Sequence, residues 1–363
     1  MQLSSTLAWL VDDAGDMPSA DQMLAKLGAA LVADGLPIAG GALTLAVAHP
    51  LIARHTWLWR AESGEVIEAL GFASGTLMGL GANSGADAGQ RWLSGIAAGA
   101  AHENIVGSRP DGPSLMWIGP RPFTPDEVQD LGRAARFAAA PLAALAARAT
   151  LKASLEAYLG RRSAARVLAA PLRRDLGETI EAALLCADLR GFTALSESLP
   201  PVAVITALDA WFDRIAGAVH AFGGEVLKFI GDGLLAIFPL AGDGRGEACN
   251  AALRAIVAAR AGMARLDKDR ALQELPPLPF GAALHLGEML WGNIGAADRL
   301  DFTAIGSAVN LVSRLQGLCR PLQKTVLISG AFAAESETPL TPLGTHELRG
   351  IATPCAVFTL PES

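Results

Sequence analysis

Residues 223–238 carry the sequence GGEVLKFIGDGLLAIF, and this stretch decides the fold of the carboxyl-terminal half. Two apolar runs flank Gly231-Asp232-Gly233, and an Asp-Gly pair between such runs is a strong signal of a two-stranded hairpin. The pattern therefore predicts two antiparallel strands with Asp232 at the tip of their turn. A lone carboxylate there is often only a turn residue, so the neighbouring segments decide whether Asp232 has a chemical role.

A second predicted strand also ends in a carboxylate. Residues 182–187 form the apolar run AALLCA, and Asp188 follows directly, with Gly191 and Thr193 shortly after it. This order is typical of a strand, a tight turn and a helix N-terminus, whose free N–H groups attract phosphate. Two carboxylates on neighbouring strand ends could hold a pair of Mg²⁺ ions about 3.5–4 Å apart, an arrangement used for phosphoryl displacement.

The third segment, residues 301–315, has the sequence DFTAIGSAVNLVSRL and predicts a strand, a glycine turn and a helix. Asn310 and Arg314 are four residues apart and therefore share one face of that helix. Alone, such a pair is usually a structural hydrogen bond. Beside two carboxylates it could instead orient a hydroxyl group and stabilise a phosphorane.

Together these segments resemble the catalytic domain of the class III nucleotidyl cyclases. The motifs His285–Glu288 and Gly292–Gly295 lie between them in the order and spacing of that family, and the resemblance covers about residues 178–360. It implies an α/β (α+β) fold with a ferredoxin-like βαββαβ core that works as a head-to-tail homodimer. Each of the two sites at the interface would draw residues from both copies and bind two Mg²⁺ or Mn²⁺ ions.

The resemblance also implies the metal ligands and part of the triphosphate site. By position, Asp188 and Asp232 resemble the two metal-binding aspartates, and Leu189 would add its backbone carbonyl to one ion. The backbone of Phe192 and Thr193 would lie against the triphosphate. Metal and phosphates are thus expected near the end of one strand.

Three more residues resemble family positions on other elements. Asn310 resembles the asparagine that orients the ribose, and Arg314 resembles the arginine that stabilises the transition state. Arg349 falls where the family places a cation for the terminal phosphates. The family arrangement implies that Asn310 and Arg314 of one copy act on the metal site of the other.

The choice of base depends on Lys228 and Thr303. By resemblance, Lys228 occupies the position of the lysine that reads adenine, where guanylyl enzymes carry glutamate, and Thr303 occupies its partner position. Adenine N1 accepts a hydrogen bond and suits a lysine, whereas the N1–H and N2–H groups of guanine suit a carboxylate. The pair predicts an adenylyl cyclase that converts ATP to 3′,5′-cyclic AMP and pyrophosphate. A guanylyl or mixed-specificity cyclase, and a nucleotide-binding regulatory module without turnover, are the alternatives.

Residues 1–123 predict a separate α/β module that resembles a GAF-like sensor domain. Its expected elements are one helix and three strands, at residues 19–34, 42–48, 57–60 and 115–118. Two histidines and two tryptophans could line a pocket for an unknown small-molecule or protein regulator: His49, His55, Trp57 and Trp59. Core tryptophans and surface histidines are the alternative interpretation.

Residues 124–177 predict a helical connector to the catalytic domain at 178–363. Thr124, Pro125 and Glu127 form a capping box with proline at the first helical position, which marks the helix start. Apolar residues then follow at alternating spacings of three and four: Val128, Leu131, Ala135, Ala138, Leu142, Leu145 and Ala149. Such a heptad seam favours a dimerisation helix, although a helix packed on its own domain can show the same pattern. Pro141 is expected to kink it.

The composition excludes several kinds of protein and partner. The chain has 363 residues, of which 51% are hydrophobic and 18% charged, and this is not the composition of a disordered chain. The formal net charge of −7 argues against a nucleic-acid polymer as partner, because that partner needs a basic face. A transmembrane segment is not predicted, because the sequence lacks a run of about 20 predominantly apolar residues. Four cysteines without paired spacing favour a cytoplasmic protein.

Overall fold

The structure, a computed structural model, describes residues 4–46, 52–72, 91–107, 112–169, 177–240, 244–296 and 298–361. The chain divides into two compact units, Met1–Ala157 and Tyr158–Ser363, each with its own sheet and core. Within the described ranges, every helix is too short or too polar to cross a lipid bilayer.

The first unit is built on a five-stranded antiparallel sheet. Its strands are β1 (Gly40–Ala46), β2 (Ile52–Arg60), β3 (Val66–Phe72), β4 (His102–Ile105) and β5 (Ser114–Ile118), in the spatial order β3-β2-β1-β5-β4. Helix α1 (Ser4–Asp12), a 3₁₀ turn (Ala14–Asp16) and helix α2 (Ala20–Ala33) precede the sheet and contribute to its core. The predicted helix and strands are confirmed, except that residues 47 and 48 lie outside the described ranges.

The aromatic residues of the predicted regulator pocket belong largely to this core. Trp59 is 3% exposed and Trp57 packs against the same cluster. His55 contacts the edge of Trp57 and lies 3.1 Å from the carboxylate of Glu68. His49 lies outside the described residues. These contacts support the structural alternative.

The connector begins as predicted and is broken near its proline. Helix α3 (Pro125–Phe137) has Thr124 as its N-cap, and both hydrogen bonds of the capping box with Glu127 are present. Helix α4 (Ala139–Leu159) follows after a break at Ala138. The break has a steric cause, since the ring of Pro141 clashes with a helical carbonyl four residues earlier, that of Phe137.

Most of the heptad seam is covered by the first unit. Five seam residues are buried in its core: Leu131, Ala135, Ala138, Leu142 and Leu145. The dimerisation interpretation is corrected for these positions, because side chains that already pack on their own domain cannot also cover a second copy. Leu151 and Tyr158 are exposed farther along, so dimerisation through the last part of the helix stays a prediction.

The second unit is built on an eight-stranded sheet. Its elements in chain order are α5 (Arg161–Ala169), β6 (Gly177–Leu189), α6 (Phe192–Ser198), α7 (Pro201–Ala221), β7 (Glu225–Ile230), β8 (Gly233–Pro239), α8 (Gly244–Leu272), β9 (Phe280–Gly295), β10 (Leu300–Ile305), α9 (Ser307–Gly317), β11 (Val326–Ser329), α10 (Gly330–Ala333), β12 (Thr341–His346) and β13 (Cys355–Thr359). Strands β9, β6, β8 and β7 adjoin in that order, and each pair is antiparallel. This arrangement is the predicted ferredoxin-like βαββαβ core.

Successive residues of each strand project to opposite faces of this sheet, and each face has its own core. Ala183 packs with α7 and α8, whereas its neighbour Ala182 packs with α9. Asp188 lies an even number of residues from Ala182 and therefore projects from the α9 face. Lys228 lies opposite Leu235, which belongs to the α9 core, so it shares that face.

A buried carboxylate fixes helix α5 to the strand that leads into the hairpin. Glu225, at the start of β7 and only 6% exposed, accepts backbone N–H bonds from Arg162 at 3.1 Å and Ser163 at 3.4 Å. These N–H groups at the helix N-terminus have no helical carbonyl to bind. Gly160 precedes them with φ +81°, and a Cβ there would lie 2.6 Å from Glu225 Oε1.

We expect Gly160→Ala to lower the free energy of unfolding of the second unit by about 1–3 kcal/mol, since a side chain is disfavoured at positive φ and would meet Glu225. Gly217→Ala is the matched control, because Gly217 lies within α7 with nothing within 4 Å of an added Cβ. Urea unfolding measures both variants. Equal stability of the two would contradict the role of Glu225 as the cap of α5.

Candidate active site

The two predicted metal-binding aspartates lie side by side at one end of the sheet. Asp188 is opposite Gly233 in the β6–β8 ladder, and Asp232 precedes that glycine in the hairpin turn. Their carboxyl groups are in hydrogen-bonding contact. The pKa of Asp188 is raised to about 6, mainly by burial and then by the charge of Asp232. The hydrogen bond from the N–H of Leu189 lowers this pKa but does not offset the rise. Negative charge is therefore concentrated here.

The close approach of the aspartates depends on Gly233 and Trp211. A Cβ at Gly233 would lie 2.9 Å from Asp188 Oδ1, so a larger residue would displace that carboxylate. Trp211 of α7 is fully buried, and its Nε1 donates to the carbonyl oxygen of Asp232 at 3.0 Å. The sequence did not reveal this role, because a lone tryptophan in an apolar helix predicts only a core position.

The oxygen atoms of this site fit a divalent cation. Mg²⁺ prefers oxygen ligands and commonly takes one or two carboxylates from the protein, with water and substrate phosphates completing its shell. Asp188 and Asp232 offer two such carboxylates, and Leu189 follows Asp188 at the end of β6. Within the described ranges, no group of three or more His, Cys, Asp or Glu side chains could form a complete cage. The donor set therefore suits an ion that a phosphate substrate helps to bind.

Asp232→Asn is expected to stabilise the metal-free protein at pH 7–8 relative to the wild type. The pKa of Asp188 is raised from 3.8 to about 6 in the folded protein, so the folded state binds this proton more tightly than the unfolded chain does. The stability that this gives the folded protein is fully present below about pH 4 and is lost as the pH rises through about 6. Removing the Asp232 charge reduces that loss. Thermal melts in a chelator between pH 4 and pH 8 should show a stability gain that grows with pH. A gain that does not vary with pH would contradict charge repulsion as its cause.

Lys228, the predicted adenine-reading residue, forms an ion pair with Asp301 of β10. Asp301 and Thr303 are two residues apart on this strand and so project from one face, while Phe302 between them is buried in the core. The structure thus brings Lys228 to the strand of Thr303, but the direct partner is Asp301. Sequence reasoning missed Asp301, although its position two residues before Thr303 could have marked it.

The remaining predicted residues are on other elements and mostly exposed. Asn310 and Arg314 lie on α9, and Arg349 lies between β12 and β13; all three are exposed. In the described part of the chain, none of the three side chains makes a hydrogen bond or an ion pair. Phe192 is half-buried and Thr193 exposed at the first turn of α6. The described residues show no polar link between this group and the aspartate pair.

Large apolar side chains are exposed on β7, the first strand of the hairpin, and on helix α7, which precedes it. They are Val202 (76%) and Ile205 (58%) of α7, and Phe229 (51%) and Ile230 (60%) of β7. These elements pack together through the rings of Phe212 and Phe229, 4.5 Å apart. Exposed apolar side chains that form a contiguous patch commonly mark interaction surfaces.

Residues 177–355 match the family model of the adenylate and guanylate cyclase catalytic domain. An adenylate cyclase of Anabaena cylindrica is 29% identical over 160 residues, and adenylate cyclase 1 of Rhizobium meliloti is 32% identical over 188 residues. The alignments cover 43% and 49% of this chain but only 31% and 27% of those relatives, so the chain spans less than a third of their length.

Among solved structures, that of a bacterial light-regulated adenylyl cyclase matches with a TM-score of 0.51 and 22% identity. The match covers 71% of this chain and 72% of that one. At 22% sequence identity, this similarity is evidence of a shared fold alone.

Proposed function

We propose that this chain is an adenylyl cyclase, which converts ATP into 3′,5′-cyclic AMP and pyrophosphate. The observation that carries the proposal is the contact between Asp188 and Asp232, where burial and charge repulsion disfavour two free carboxylates. Such a pair suits a reaction in which divalent cations and a polyphosphate meet. The family match of residues 177–355 supports the same chemistry.

Asp188, Asp232 and the carbonyl oxygen of Leu189 would hold two Mg²⁺ or Mn²⁺ ions. When bound, these ions supply Lewis-acid chemistry that makes the ribose 3′-hydroxyl more acidic and neutralises the triphosphate. The protein keeps the oxygen ligands in place through the close packing of Gly233 and the hydrogen bond from Trp211.

The other predicted residues would act on the nucleotide. In the reaction the 3′-oxygen attacks the α-phosphorus, the bond to pyrophosphate breaks, and the hydroxyl proton leaves to water. Asn310 would orient the ribose, and Arg314 would stabilise charge on the transferring phosphoryl group. The backbone of Phe192 and Thr193, together with Arg349, would bind the triphosphate.

We infer that two copies of the chain form the sites together. Asn310 and Arg314 lie exposed on a helix that shares a sheet face with Asp188, without a polar partner in the described residues. The exposed apolar side chains of α7 and β7 would be covered in a homodimer. A twofold arrangement would let the helix of one copy complete the aspartate site of the other.

Lys228 supports ATP as the substrate, because its ammonium group is a donor and adenine N1 is an acceptor. Thr303 both donates and accepts, so it discriminates less sharply than a carboxylate. A guanylyl or mixed-specificity cyclase is the main alternative, since the matched family comprises both activities. A regulatory module without turnover would lack a metal or transition-state residue, and the chain carries each predicted one.

Initial rates with ATP and GTP, measured side by side in Mg²⁺ and in Mn²⁺, test the proposed substrate. We expect cyclic AMP to form faster than cyclic GMP at equal nucleotide concentration. A GTP rate equal to or above the ATP rate would overturn the assignment of the base.

We also propose that the first unit is a GAF-like regulatory domain for an unknown small molecule or protein. Its separate sheet and core support an independent role. The connector that follows it ends in α5, whose N-terminus is bound by Glu225, three residues before Lys228 on β7. A movement of α5 could therefore be transmitted through Glu225 to β7, the strand that carries Lys228.

A further inference from the structure

We propose that Asp301 is a specificity-determining residue, which positions Lys228 toward adenine. Because its carboxylate is paired with that lysine, it is also unavailable to guanine. The inference rests on the proposed cyclase activity and deepens it. An ion pair joins the two side chains, which are 73 residues apart in the sequence.

The strand geometry places Asp301 and Thr303 in one base-reading surface. Phe302 and Ala304 are 9% and 5% exposed and point into the core, so the alternate residues Asp301 and Thr303 project away from it. Neighbours of this kind are about 7 Å apart along a strand. The ammonium group that Asp301 holds is therefore on the same side of β10 as the hydroxyl of Thr303.

The ion pair restricts a flexible side chain without using all its donors. Lysine carries its ammonium group at the end of a flexible four-carbon chain and has three N–H donors and no acceptor. Asp301 takes one donor, which leaves the others for a ring nitrogen acceptor such as adenine N1. Lys228 is 41% exposed at its side chain, so a base can reach it.

The same pair also accounts for rejection of guanine. A free carboxylate beside the base would accept the N1–H and N2–H donors of guanine. In this chain the carboxylate of Asp301 is neutralised by Lys228, so the acceptor that would favour GTP is occupied. Asp301 therefore supports ATP only as long as Lys228 is present, and would favour GTP without it.

An ordinary surface ion pair is the competing explanation, because both side chains are more than 40% exposed and such pairs contribute little to stability. That explanation predicts no change in the choice of base. The test is therefore the ratio of kcat/KM for ATP to kcat/KM for GTP, not stability.

Four variants of the full chain are compared with the wild type: Asp301→Asn, Lys228→Ala, the double variant, and Asp298→Asn. Asp298 is an exposed carboxylate just before β10 and serves as the matched control. We expect Asp301→Asn to lower kcat/KM for ATP about tenfold, mainly through KM, with an unchanged melting temperature. Asp298→Asn should leave both nucleotides unaffected.

The double variant isolates the carboxylate. Lys228→Ala is expected to raise kcat/KM for GTP above the wild-type value, and adding Asp301→Asn should abolish that gain. A wild-type nucleotide ratio in Asp301→Asn, or a GTP gain that survives in the double variant, would overturn the inference while leaving the cyclase activity intact. If the wild type forms neither cyclic nucleotide, the proposed function fails and this inference fails with it.

Discussion

Replacing Arg314 by alanine is expected to lower kcat for cyclic AMP formation by at least about 10²–10³-fold, the loss typical for removal of one transition-state donor. The guanidinium group is exposed on α9 and makes no hydrogen bond or ion pair in the described residues, so its loss costs little folding energy. KM for ATP should change much less than kcat, because the proposed contact forms in the transition state.

Two further variants separate chemistry from charge and from folding. Arg320→Ala removes another exposed arginine shortly after the same helix and should keep wild-type turnover. Arg314→Lys keeps the charge but loses the planar fork, so its kcat should fall between those of the wild type and Arg314→Ala. If Arg314→Ala turned over ATP at nearly the wild-type rate, its role in the transition state would be refuted.

Mixing inactive Asp188→Ala with inactive Arg314→Ala is expected to restore activity. In a homodimer with shared sites, the mixed dimer has one site without either substitution and one site with both. Equal mixing with free exchange of subunits should return roughly a quarter of the wild-type sites. The effect is large because each parent variant starts from almost no activity.

The control mixes Asp188→Ala with Asp232→Ala. These aspartates lie in contact within one chain, so every site in the mixed dimer lacks one of them and no activity should return. Heterodimers verified by two affinity tags exclude failed mixing. Verified Asp188→Ala and Arg314→Ala heterodimers without activity would contradict the shared site.

Local signals made much of the fold predictable. The hairpin follows from Gly231-Asp232-Gly233 between apolar runs, and the structure places its turn there. The start of α3 follows from a capping box, in which Thr124 and Glu127 satisfy each other's backbone N–H groups. Both structures form through interactions among a few residues that are neighbours in the sequence, so a short stretch of sequence is enough to predict them.

Features that depend on distant partners were not predictable. The seam around Leu142 has the spacing of a dimer contact, yet its own domain covers it, and spacing alone cannot distinguish the two. The partner of Lys228 is Asp301, and the turn at Asp232 is held by Trp211. These contacts join separate elements, so they emerge only once the sheet is assembled.

Product analysis tests the central claim most directly. The purified chain is incubated with ATP and Mg²⁺ or Mn²⁺, and the nucleotides and pyrophosphate are quantified, with Asp188→Ala as the control. The account predicts 3′,5′-cyclic AMP and pyrophosphate in equal amounts from the wild type and neither from the control. An intact wild-type dimer that binds ATP and metal but never forms cyclic AMP would contradict it.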